Sequence, residues 1–150
     1  QEGAAIPDAE RQDPAFFRSK GVEVGRDGCR VPLPWTVEGT SFGFGDGGAH
    51  LPQPDWFSKY AVEAQDGAEN STLELYRTGL KLRRNLQAGE ELEWVETGSP
   101  DVLHFRRPGG WQSVTNFGDT AGELPGGALL VSSSALEDGK LGAYSTAWLR

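Results

Sequence analysis

The stretch RDGCRVPLPW, residues 26–35, concentrates side chains that could bind a small molecule. Arg26 and Arg30 flank a cysteine, and two prolines stiffen the backbone that leads to Trp35. A positioned guanidinium offers a planar fork of donors that suits a carboxylate or the paired hydroxyl groups of a sugar. Trp35 would then cover the apolar face of the ring. A second interpretation stays open, in which Arg30 bridges two loops and Trp35 lies in the core.

Other candidate chemistry in the chain is weaker. Cys29 is the single cysteine, and we predict a buried structural thiol rather than a reactive thiolate. The sequence GFGDGG, residues 43–48, lacks the Gly-Lys-Ser/Thr ending of a phosphate loop and is typical of a surface turn. His50 and His104 are far apart and no calcium-loop pattern occurs, so we predict no metal site and no cofactor. We expect His104 to be a hydrogen-bonded sheet residue, and the Asp-Gly pairs to be turns.

The composition limits the class of partner. A formal net charge of -8 repels phosphate backbones, so we predict no nucleic-acid partner. No apolar run approaches the roughly 18 residues of a membrane span, so we predict no membrane partner. A single cysteine excludes an internal disulfide, and it suggests a cytoplasmic location. The 150 residues include no methionine, so we expect a processed chain or a piece of a longer protein.

The first third of the chain has the composition of loops. The first 70 residues carry ten glycines and six prolines, sixteen of the thirty in the whole sequence. Large apolar side chains are nevertheless frequent there, which is not typical of a disordered tail. We therefore predict that this first part of the chain, about 70 residues, forms a loop that packs against a larger body.

A helix is predicted from Ser71 to Asn85. Ser71 and Glu74 form a capping box, and Leu73, Tyr76 and Leu80 follow with helical spacing. Asn70-Ser71-Thr72 also matches a glycosylation acceptor, but helix capping is the favoured role of the serine.

Short strands separated by glycine- and proline-bearing turns follow the helix. This pattern is typical of a small antiparallel β-sandwich, which makes the chain α+β as it stands. The predicted strands are Glu91–Thr97, Asp101–Arg107, Trp111–Phe117, Ala128–Ser134 and Ala143–Leu149.

Several linked motifs resemble one family. The chain is similar to the C-terminal part of alpha-glucosidases of the alpha-amylase superfamily, glycoside hydrolase family thirteen, of the oligo-1,6-glucosidase kind. The motifs are RQDPAFFR (residues 11–18), GRDGCRVPLPW (25–35), LPQPDW (51–56) and STLELYRTGLKLRR (71–84), with NFGD (116–119) and the closing TAWLR (146–150).

The resemblance implies an architecture. Residues 1–87 would be the last loop and last helix of a (β/α)8 catalytic barrel, incomplete in this chain. Residues 88–150 would be the C-terminal β-sandwich domain. The upstream barrel of the same protein would then be a partner of this chain. Active sites of such barrels lie in the loops after the strands, so the 26–35 stretch would overhang the active-site mouth.

The resemblance also implies a function. The family hydrolyses α-glucosides with retention, using an aspartate nucleophile, a glutamate acid/base and a second aspartate. All three come from barrel strands that would precede Gln1, so we assign no catalytic residue here and expect this chain alone to be inactive.

Arg30 matches the family arginine that lines the glucose pocket, while Arg26 and Asp27 match neighbouring residues that orient this substrate-binding loop. The partner implied is an α-linked glucose oligosaccharide or disaccharide, and 1,4 and 1,6 linkages both stay open. The alternative function is a non-catalytic carbohydrate-binding or structural β-sandwich module.

Overall fold

The protein divides into two compact units. The computed structural model describes residues 3–150, with one unit ending at Ala68 and the other spanning Glu69–Arg150. Among these residues, no helix is both long enough and apolar enough to cross a membrane. The predicted assignment of the chain to a barrel end and a C-terminal domain, with its boundary after residue 87, stays a prediction.

The first unit consists of short helical segments joined by loops. Two α-helices, α1 (Pro14–Arg18) and α2 (Val62–Gln65), are brief because glycine and proline interrupt the sequence so often. From residue 3 onward the unit also contains four 3-10 turns: Asp8–Glu10, Asp27–Cys29, Thr40–Gly43 and Asp55–Tyr60.

This loop-rich unit has a small apolar core of its own. Ile6, Val31, Leu51 and Phe57 are buried together with Ala4, and the rings of Phe42 and Trp56 pack against them. About half of the large apolar side chains that argued against a disordered tail therefore have partners within the unit, while others, such as Phe17 and Phe44, are exposed. The expected packing of this region against a larger body stays a prediction.

The second unit begins with the predicted helix, α3 (Thr72–Leu86). Ser71 is its N-cap, and the hydroxyl of Ser71 accepts a hydrogen bond from the Glu74 backbone N–H at 3.2 Å. Arg83 and Arg84 lie in the last turn, where positive charge is favourable at the carbonyl end of the helix. The predicted helix and its capping residue are confirmed.

Five strands form one antiparallel sheet in the order β1-β2-β3-β5-β4. Each lies inside one of the five predicted segments. The β2–β3 connection is Pro108-Gly109-Gly110, whose two glycines have φ of 89° and 78°, a region that other residues rarely enter. The strands are β1 (Glu93–Trp94), β2 (Val102–Arg107), β3 (Trp111–Asn116), β4 (Leu129–Ser132) and β5 (Ser145–Leu149).

One face of the sheet carries a compact aliphatic core. Val114, Ala147 and Leu149 are buried there with Leu141, and Leu124 packs against them. Leu124 and Leu141 belong to the two stretches that flank β4, residues 118–128 and 133–142. Outside β4, these stretches are joined by isolated bridges between residues 122 and 141 and between residues 137 and 140.

The predicted α+β class with an antiparallel sheet is confirmed. The predicted sandwich would need a second sheet over the aliphatic face. Among the described residues, that face is covered instead by the irregular stretches on either side of β4. Their many glycines and the Leu-Pro-Gly-Gly stretch, residues 124–127, interrupt strand pairing. Asp138 and Gly139, with φ of 48° and 80°, form the tight turn between the bridged residues 137 and 140.

The opposite face of the sheet carries an aromatic row. Trp94, Phe105, Trp111 and Trp148 follow one another across it, with ring centroids 5.8, 6.3 and 5.2 Å apart. A groove of about 530 Å³ lies between this row and α3, and Tyr76 and Leu80 of the helix line it.

Candidate functional site

Asp27 anchors the turn that opens the 26–35 stretch. Its side chain is only 2% exposed, and Oδ2 accepts backbone N–H bonds from Gln12 at 2.8 Å and Asp13 at 2.9 Å. A buried carboxylate must be compensated by donors, and these two amides supply them. Asp27 therefore fastens its own turn to the preceding segment, and the substrate-site role predicted for it stays a prediction.

Gly28 brings the turn against the start of the chain. The Ala4 N–H donates to the Gly28 carbonyl at 2.9 Å. A Cβ on Gly28 would lie 2.3 Å from the Ala4 carbonyl oxygen, closer than any real contact allows. Only glycine allows the two backbones to lie this close together. The contact with Ala4 therefore fixes the backbone at Gly28, two residues before Arg30.

Asp13 is the centre of the polar network. Its Oδ1 accepts the Ala15 N–H at 2.9 Å and so caps α1, with Pro14 at the first helical position. Its Oδ2 accepts the Arg26 backbone N–H at 2.9 Å and Nη1–H of Arg30, also at 2.9 Å. The sequence prediction missed this residue, although the Asp-Pro pair that signals a helix N-terminus was present in the sequence.

The ionisation of Asp13 follows from these bonds. The backbone N–H groups of Ala15 and Arg26 hold the pKa of this carboxyl below its ordinary value, while burial opposes them. The positive charges of Arg30 and Arg26 act in the same direction as the amides. The lowered pKa favours the charged carboxylate of Asp13, which is the counter-ion of Arg30.

The Arg30 guanidinium is both bound to Asp13 and partly exposed to solvent. One nitrogen, Nη1, is bound to Asp13, whose side chain is 8% exposed, yet the Arg30 side chain is 47% exposed. Within residues 3–150 its other guanidinium nitrogens make no hydrogen bond, so their N–H groups are available to a ligand. Arg30 bridges two loops and also presents donors outward, and its contact with a substrate stays a prediction.

Arg26 contributes in a different way. Its backbone N–H is used by Asp13, and its guanidinium makes no hydrogen bond or ion pair with any described residue. Arg26 adds positive charge near Asp13, and the substrate role predicted for it stays a prediction.

The residues after Arg30 form an exposed apolar ridge. Pro32 and Pro34 are buried, while Leu33 and Trp35 are 60% and 51% exposed. The Trp35 N–H donates to the Phe42 carbonyl at 2.7 Å, which ties the ridge to the next turn. The interpretation that places Trp35 in the core is therefore wrong, because the two prolines occupy the inward positions.

The structure corrects the prediction for Cys29. Cys29 is exposed, not buried, because it ends the 3-10 turn whose inward side chain is Asp27. His104 is buried in β2 and its Nε2 lies 2.8 Å from Oε1 of Gln112, which confirms a hydrogen-bonded sheet histidine. Within residues 3–150, no three His, Cys, Asp or Glu side chains are grouped as metal ligands would be.

The segment that precedes α1 ties three loops together. Nη1–H of Arg11 donates to the Val24 carbonyl at 2.9 Å, and Nε–H donates to Asp8 at 2.8 Å. Nε2–H of Gln12 donates to the His50 carbonyl at 2.7 Å. Arg11 and Gln12 therefore join neighbouring loops, and of the three RQD residues it is Asp13 that contacts Arg30.

Comparison with solved structures finds similarity, whereas the sequence comparisons find none. No protein-family model matches the sequence, and no curated protein matches it significantly. The chain is similar in structure to the alpha-glucosyl transfer enzyme XgtA, with a TM-score of 0.71 and 26% sequence identity. The match covers 100% of this chain and 31% of XgtA, so this chain spans about a third of that enzyme's length.

Proposed function

We propose that this chain is the C-terminal portion of a retaining α-glucosidase that hydrolyses short α-glucosides. In this proposal it contributes a substrate-pocket loop, and the catalytic carboxylates come from another part of the protein. The observation that carries the proposal is the half-exposed Arg30 guanidinium, held at one nitrogen by the buried Asp13. The similarity to an alpha-glucosyl transfer enzyme over the whole chain supports a carbohydrate-active role.

The chemistry of Arg30 fits sugar recognition. A guanidinium fixed at Nη1 can still donate from Nη2 and Nε, whose N–H bonds are coplanar and lie on one edge. Adjacent sugar hydroxyl groups present oxygens that can accept both bonds. The fixed fork therefore selects a ring by the spacing of its hydroxyls.

The proposed reaction class leaves two fates for the glucosyl group. A retaining enzyme first transfers the sugar to an aspartate and then lets an acceptor attack the resulting ester. Water as acceptor gives hydrolysis, and a hydroxyl group of another molecule gives glucosyl transfer. XgtA is described as an alpha-glucosyl transfer enzyme. We propose that water is the main acceptor here, because the motif resemblance is to hydrolases.

The experiment compares the full-length protein with the isolated 150-residue chain. We expect the full-length protein to release glucose from maltose or isomaltose, and the isolated chain to release none. Activity of the highly purified isolated chain would contradict the proposal that the catalytic carboxylates lie in another part of the protein. A folded full-length protein that acts on no α-glucoside, either by hydrolysis or by transfer, would overturn the proposed function.

The alternative is a non-catalytic carbohydrate-binding module, and the aromatic groove favours it. Tyr76 is 65% exposed at the groove, and Trp148 lines the opposite wall. Aromatic faces of this kind stack on sugar rings. Binding of a soluble α-glucan to the isolated chain, measured calorimetrically and abolished by Trp148→Ala, would favour this alternative over the α-glucosidase.

A further inference from the structure

We propose that Asp13 is a positioning residue, which fixes the Arg30 guanidinium in the orientation that binds substrate. The inference rests on the proposed function, because it assumes that Arg30 contacts the sugar. Asp13 itself would touch no substrate. Its side chain is 8% exposed, so it lies behind Arg30 and not at the surface that a ligand would reach.

The two oxygens of Asp13 have separate tasks. Oδ1 is bound to the Ala15 N–H at the start of α1, so the carboxylate cannot turn away. Oδ2 receives Arg26 N–H and Arg30 Nη1–H, each at 2.9 Å. Because the backbone N–H groups of Ala15 and Arg26 both hold Asp13, the orientation of the Arg30 guanidinium is fixed by two backbone segments.

A second ion pair in the same unit shows what is particular to this arrangement. Asp8 pairs with Arg11 at 2.8 Å, but Asp8 is 78% exposed and Arg11 is 14% exposed. There the arginine is enclosed and the acid is outside, so the pair presents no donors to a ligand. At Asp13 and Arg30 the order is reversed, with the acid enclosed and the cation outside.

The structural role of Asp13 as a helix cap can be separated from its effect on Arg30. Asp13→Ser keeps a hydroxyl that can cap α1 but removes the oxygen that holds Arg30. Asp13→Asn also keeps a cap oxygen, and its amide presents donors towards the donors of Arg30 and Arg26. Asp8→Asn is the matched control, since it breaks an acid–arginine pair without altering the network of Asp13.

The test is a double-mutant cycle on the full-length protein, with kcat/KM for an α-glucoside as the readout. We expect Asp13→Ser to lower kcat/KM about tenfold, the size of one misplaced charged hydrogen bond. In an Arg30→Ala background the same change should have no further effect, because Asp13 acts through Arg30. Asp8→Asn should leave kcat/KM unchanged.

The outcomes distinguish the inference from the function on which it rests. If Asp13→Ser lowers kcat/KM equally with and without Arg30, Asp13 has only a structural role and the inference is overturned. An unchanged kcat/KM in a folded Asp13→Ser variant also overturns it, while Arg30→Ala can still show that Arg30 binds substrate. If Arg30→Ala itself has no effect, the proposed sugar contact fails, and the inference fails with it. Should the serine variant not fold, the cycle is run with Asp13→Asn and judged in the same way.

Discussion

Replacing Arg30 by lysine separates a substrate contact from a loop bridge. Arg30 has five N–H donors, and one nitrogen is engaged by Asp13 at 2.9 Å. Lysine keeps the charge but carries all its donors on a single nitrogen, so it cannot hold Asp13 and also direct two bonds at neighbouring hydroxyls. Arg30→Lys should therefore fail to restore the activity that Arg30→Ala removes.

The size of the effect follows from the bond that is lost. A hydrogen bond to a charged group is worth roughly 1.5 to 3 kcal/mol, so we expect kcat/KM to fall about 10- to 100-fold in the full-length protein. Thermal stability should change little, because the Arg30 side chain is half exposed.

The assay measures kcat/KM on an α-glucoside and the melting temperature of each variant. Arg11→Lys is the control, because Arg11 is 14% exposed and its guanidinium joins Asp8 to the Val24 carbonyl. We expect it to lower the melting temperature and leave kcat/KM nearly intact. If the Arg30 variants behave like Arg11→Lys, Arg30 is a loop bridge, and the argument for a sugar contact is refuted.

Three further predictions concern stability. Leu141 is 1% exposed, so Leu141→Ala should lower the free energy of unfolding by about 2–5 kcal/mol in urea titrations. Leu129 is 45% exposed, so Leu129→Ala should lower it far less. Similar losses for the two variants would contradict the assigned core. Because the fold lowers the pKa of Asp13, its stabilising effect should be present at neutral pH and be lost as the pH falls through the lowered value. The stability difference between wild type and Asp13→Asn should therefore shrink in acid, and a constant difference would show that ionisation of Asp13 is irrelevant. In limited proteolysis of the isolated chain, residues up to about 66 should be cleaved before residues 90–150, because few regular elements hold the loop-rich unit together. Equal protection of the two parts would show that this unit is as stable as the sheet.

The elements that were predicted correctly are those determined by local sequence. The Ser71 cap, α3, and the strands on either side of the Pro-Gly-Gly turn depend on side chains within a few residues of each other. Spacing and turn chemistry are sufficient to identify such elements. The hydrogen-bonded role of His104 was likewise predictable, because a histidine within a strand pattern has nearby polar neighbours.

The features that were missed depend on contacts between distant segments. Asp13 meets Arg30 across 17 positions of sequence, and no local pattern indicates that pairing. Cys29 was expected inside because cysteines usually are, but the buried position in its short turn belongs to Asp27. The resemblance suggested Arg30, while the residue that orients it became visible only once the loops were placed together.

The two faces of the sheet have a consequence for strand register. Along β3 and β5, the aliphatic face holds Val114 and Ala147, and the aromatic face holds Trp111 and Trp148. A shift of one residue would exchange the faces and force an indole into space shaped for the methyl group of Ala147, which is 0% exposed. Both faces carry apolar side chains together with buried polar ones, such as Ser113 and Asn116, so polarity alone discriminates poorly against the shifted pairing. Side-chain volume supplies the discrimination, because overpacking a dense core is itself strongly unfavourable.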